Sequence, residues 1–89
     1  MELLIHFTSL PQGMTLGDMR AGLDEVLDDS GWITASSQEA GKGHVEIELE
    51  DERLNPKHGI LAVKYYLQRS GFPADTAIEL AGKPVGIYE

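Results

Sequence analysis

Across residues 44–50 the chain alternates polar and apolar side chains without a break. Val45, Ile47 and Leu49 fall on one side, and His44, Glu46, Glu48 and Glu50 on the other. A period of two marks a strand with one face in a core and the other in water, as antiparallel sheets allow. Upstream, residues 32–37 open with aromatic and β-branched side chains and lack a helical period, which predicts a second strand. Between them Glu39-Ala40-Gly41-Lys42-Gly43 holds two glycines able to take positive φ, so a hairpin loop of three to five residues is expected.

Residues on either side of this hairpin read as one strand and one helix each. Residues 2–8 place Leu3, Ile5 and Phe7 on one face and Leu4, His6 and Thr8 on the other. After a Leu10-Pro11-Gln12-Gly13 turn, Thr15 stands as an N-cap with Asp18 completing a shortened capping box. Leu16, Met19, Leu23, Val26 and Leu27 then share one helical face. Asp18, Glu25, Asp28 and Asp29 lie opposite, with Asp24 at the margin. Asp28 and Asp29 oppose the dipole at the helix C-terminus, a placement that stability alone does not favour. Gly31 is expected to end this helix in a left-handed conformation.

A second helix is expected over residues 56–70, capped by Asn55, opened by Pro56 and closed by Gly71. Ile60, Val63, Tyr66 and Leu67 form its apolar face. Leu61 and Tyr65 project to the opposite side, among Lys57, Lys64 and Gln68. Residues 76–80 predict a fourth strand with Ile78 and Leu80 inward. Residues 85–88 can add a short fifth strand, which Pro84 confines to an edge or to the strand's own first residue.

The order βαββαβ with short connections is the split-βαβ, or ferredoxin-like, α+β arrangement. It predicts one domain over residues 1–89, with a four-stranded antiparallel sheet in the order 4-1-3-2 and both helices on one face. The uncovered face would then show Leu4, His6, Thr8, Glu46, Glu48, Glu50 and Glu79. His6 would lie near Glu46 or Glu48 on one side and Glu79 on the other.

Composition narrows the chemistry on that face. The net charge of −8 disfavours binding to phosphate backbones or anionic membranes, which basic residues mediate. RNA-binding domains of this topology stack bases on central-strand aromatics, where this chain has His44, Glu46, Glu48 and Glu50. Acylphosphatase-like enzymes need an arginine in the loop after the first strand, and Ser9-Leu10-Pro11-Gln12-Gly13 has none. With no cysteine there is no disulfide, thiol or iron–sulfur chemistry. No GxSxG, P-loop or HExxH spacing occurs, so catalysis is not expected. His6, Glu46, Glu48 and Glu79 are of metal-ligating type, but they come from three strands. A solvated charged face is the simpler reading, with no metal or cofactor.

The expected function is therefore a cytoplasmic, non-catalytic protein-binding or regulatory module, of the immunity type or similar. It would engage a basic partner through Asp24, Glu25, Asp28 and Asp29 or through the acidic sheet face, and bind neither nucleic acid nor membrane. The alternative is an ACT-like homodimer holding a small ligand at its interface, with Leu61 and Tyr65 or an edge strand as the dimer contact. Either a monomer or a homodimer fits the sequence.

Overall fold

The computed structural model describes residues 1–50, 52, 56–80 and 82–88. Its elements are β1 (Glu2–Phe7), α1 (Leu16–Leu27), a 3-10 turn (Asp28–Ser30), β2 (Gly31–Glu39), β3 (Lys42–Leu49), α2 (Pro56–Ser70), β4 (Ala77–Leu80) and β5 (Lys83–Gly86). The expected Asn55 cap and most of the 51–54 connection lie outside the described residues. Among those described, five strands form one antiparallel sheet in the order β2-β3-β1-β4-β5. That order contains the expected 4-1-3-2 run and adds β5 outside β4, so the four-strand count becomes five.

Period-two burial decides which face is covered. Leu3, Ile5, Phe7, Val45, Ile47, Leu49 and Ile78 are buried against Met19, Leu23 and Leu27 of α1 and Val63, Tyr66 and Leu67 of α2. Both helices thus share one side of the sheet. Each such Leu, Ile or Val contributes about 1.5–3 kcal/mol through loss of apolar surface to water. Phe7 and Phe72 meet edge to face, with ring centroids 6.2 Å apart, at the end of the sheet where α2 returns to β4.

The helix ends follow their local chemistry. Thr15 Oγ1 accepts the Asp18 N–H and Asp18 Oδ2 accepts the Thr15 N–H, both at 3.1 Å, which is the reciprocal capping box. At the C-terminus of α2, Gly71 at φ +85° lets its N–H reach Gln68 O and the Phe72 N–H reach Leu67 O, both at 3.2 Å. That pair of bonds is a Schellman motif, with Phe72 buried just beyond it.

Gly31 does not end α1 as expected. Asp28, at φ 48°, takes the cap position and donates its N–H to Asp24 O. Gly31 is extended, at φ 173°, and already begins β2 opposite Leu49. Glycine is needed there for clearance, because a Cβ at position 31 would stand 2.6 Å from Glu48 O.

The hairpin turn is tighter than the sequence predicts. Lys42 pairs with Glu39 and Gly43 with Gln38, leaving a two-residue loop, Ala40 at φ 52° and Gly41 at φ 86°. Two consecutive positive φ values make a type I′ turn, whose twist matches that of the strands. A bulge between Ile33 and Ala35 reverses the alternation of β2. Trp32 before it and Ser37 after it therefore both face away from the helices, opposite Glu48 and His44.

The fifth strand also starts earlier than residues 85–88. Lys83 pairs with Leu80 and Gly86 with Ala77; beyond them Ile87 donates its N–H to Thr76 O at 3.4 Å and is buried in the core. Tyr88 Oη then donates to Phe72 O at 2.6 Å.

Candidate protein-binding surface

The register sets the composition of the open sheet face. Leu4 lies opposite Glu46 on β3 and Glu79 on β4, and Glu2 lies opposite Glu48. His6 faces His44 and Ala77, with its Nε2 3.5 Å from Glu79 Oε1. The expected neighbour Glu79 is thus in place, but the β3 neighbour directly opposite His6 is His44. Glu46 and Glu48 lie two and four residues further along β3, opposite Leu4 and Glu2.

This spacing bears on two chemistries. His6, Glu46, Glu48 and Glu79 are not drawn together, and no group of three or more metal-ligating side chains occurs among the described residues. Ser37 Oγ is 3.1 Å from His44 Nδ1, a contact that follows from their cross-strand pairing. Among the described residues no carboxylate holds the other ring nitrogen of His44. The pair sits at the surface and lacks the third, orienting group of a nucleophile–base constellation.

Aromatic and acidic side chains converge at the other end of the face. Trp32 is 51 % exposed, although it is the chain's only tryptophan. It lines a depression of about 280 Å³ with Glu48, Leu49, Glu50 and Glu52. Glu50 Oε1 accepts the Glu52 N–H at 2.9 Å, and Glu48 Oε1 lies 3.2 Å from the Met1 amino group. An indole face ringed by carboxylates is suited to a cationic side chain: the ring quadrupole attracts the cation and the carboxylates complete its neutralisation. In the sequence Trp32 shows only as a β-forming residue. Its polar-side position emerges from the register and the Thr34 bulge.

The helix-borne acids are presented differently. Asp24, Glu25, Asp28 and Asp29 are all exposed and have no ion-pair partner among the described residues. Asp28 and Asp29 belong to the 3-10 turn that leads into Gly31, so they precede Trp32 along the same chain segment.

Leu61 and Tyr65, one turn apart on α2, differ in exposure. Leu61 is half-buried in a groove of about 160 Å³ between α2 and the β4–β5 hairpin, with Ile60, Ile78, Leu80 and Val85. Tyr65 is 56 % exposed and does not line that groove.

No helix among the described residues is long and apolar enough to cross a membrane. Comparison with protein-family models, with curated proteins and with solved structures gave no match to this chain.

Proposed function

We propose that this chain is a ferredoxin-like domain acting as a non-catalytic, cytoplasmic binding module for a basic protein, with the open sheet face as the contact. The 4-1-3-2 run within the sheet supports the fold reading. The observation that carries the functional reading is the half-exposed Trp32 set among Glu48, Glu50 and Glu52. Binding energy at interfaces concentrates in a few aromatic or arginine anchors, and charges at the rim mainly add association rate and specificity. Trp32 supplies such an anchor, whereas the Asp24, Glu25, Asp28 and Asp29 group supplies charge alone. That group serves as the steering rim.

Capture from native lysate at low and moderate salt tests the reading, comparing the wild type with Glu48→Lys/Glu52→Lys and Asp24→Lys/Glu25→Lys. A basic protein retained by the wild type and the helix variant, and lost with the sheet-face variant, is the expected result. Equal retention by all three would overturn it.

One observation favours the second reading, an ACT-like ligand-binding homodimer. The apolar groove containing Leu61 and Val85 lies beside the β5 edge, where a second subunit or an apolar ligand could cover it. A protein that sedimented as a monomer at high micromolar concentration, with and without ligands, would remove this reading.

A further inference from the structure

The two edges of the sheet are built in opposite ways. β5 is short and carries Lys83 and Pro84, a charge and a missing N–H that both discourage further strand pairing. β2, the other edge, runs for nine residues with neither lysine nor proline. Every second residue of an edge strand turns its N–H and C=O outward. Among the described residues, the backbone of 32–39 forms its ladder with β3 alone and bonds to nothing on the far side. The Thr34 bulge interrupts this edge but leaves residues 35–39 in regular register beyond it.

Acidic residues border both ends of that edge, with Lys42 paired opposite Glu39 at the hairpin end. Asp28 and Asp29 lie in the turn that enters β2, Glu39 is exposed at its far end, and Trp32 faces Glu48 beside it. We infer that β2 accepts an extended, lysine- or arginine-bearing segment of a partner protein as a sixth strand. The partner's backbone would bond to the free edge of β2, and its basic side chains would meet Trp32 and the flanking carboxylates. A second copy of this chain is disfavoured as the occupant. Each copy carries a charge of −8, and pairing β2 with β2 would bring the two acidic borders together. This inference rests on the reading of a basic partner and adds its mode of attachment.

The test uses a capped peptide of alternating lysine and valine, and the same peptide with every second amide N-methylated so that one edge cannot donate. Binding is followed by NMR titration and by amide exchange of residues 31–39. The expected result is saturable binding of the parent peptide with slowed exchange along β2, weakened roughly tenfold or more by N-methylation, since several backbone hydrogen bonds are removed at once. Equal binding of both peptides would overturn strand addition while leaving the acidic-surface reading intact. No binding of either peptide at low salt would overturn both. Concentration-dependent protection of β2 without any peptide would assign the edge to a second copy and overturn the proposed occupant.

Discussion

Trp32 and Glu48 are direct cross-strand partners on β2 and β3, side by side on the face that the helices leave open. A large aromatic ring at the solvent side of an edge strand contributes less to the core than a buried one. Replacing Trp32 with alanine should therefore leave the thermal midpoint nearly unchanged. The same substitution should weaken binding of a basic partner by about 2 kcal/mol or more, the size of an interface anchor. Calorimetric titration and melting of the same sample measure the two effects together. A large loss of stability without loss of binding would mean that Trp32 is structural.

Gly22 of α1 packs directly against the Tyr66 ring of α2. A Cβ built there would stand 2.6 Å from Cζ of Tyr66, a side chain that is itself 8 % exposed. Alanine gains about 1 kcal/mol in helix propensity. Against that, overpacking a well-filled site costs about 1–3 kcal/mol. Gly22→Ala is expected to destabilise the protein on balance, read as a lower urea midpoint with an unchanged slope. Pairing it with Tyr66→Phe, which trims the clashing phenol, should recover part of the loss.

The type I′ turn holds an alanine where the backbone favours glycine or asparagine. Ala40 sits at φ 52°, and a left-handed conformation costs a residue with a Cβ about 1–2 kcal/mol. Ala40→Asn makes the Asn-Gly pair preferred in such turns. It should raise the unfolding free energy by about 1 kcal/mol without altering the sheet face. A neutral or destabilising result in chemical unfolding would count against the two-residue turn and favour a longer loop.

Thr76 is fully buried, and its Oγ1 has no hydrogen-bond partner among the described residues. An unsatisfied buried hydroxyl costs about 1–3 kcal/mol, and valine has nearly the same shape. Thr76→Val is expected to raise the melting temperature. A drop would show that the hydroxyl makes a bond in solution.

Much of the fold was legible because burial obeys simple periods. The alternation of Val45, Ile47 and Leu49, the spacing of Met19, Leu23 and Leu27, and the Thr15–Asp18 box each specify a local structure that packing then confirms. The errors lie where one local signal competes with a distant contact. Gly31 has the look of a helix terminator, yet Glu48 O crowds the position and the chain needs it in the strand. The hairpin length depended on whether Lys42 and Gly43 paired, which is a register question. Register also hid the site. Trp32 reaches the acidic face through pairing with Glu48 and a bulge two residues later, and neither leaves a mark in composition. Helical angle places Leu61 beside Tyr65 but carries no sign of the β4–β5 hairpin that forms the other wall of its groove.

The most direct test of the acidic-module account is fluorescence of the single tryptophan, Trp32, titrated with the lysine–valine peptide at low and high salt. Screening shortens the reach of exposed charges from about 10 Å at 0.1 M to about 3 Å at 1 M salt. The account predicts a saturable change in Trp32 emission at low salt whose affinity falls steeply as salt rises. Binding that leaves Trp32 emission unchanged, or that is indifferent to salt, would contradict it.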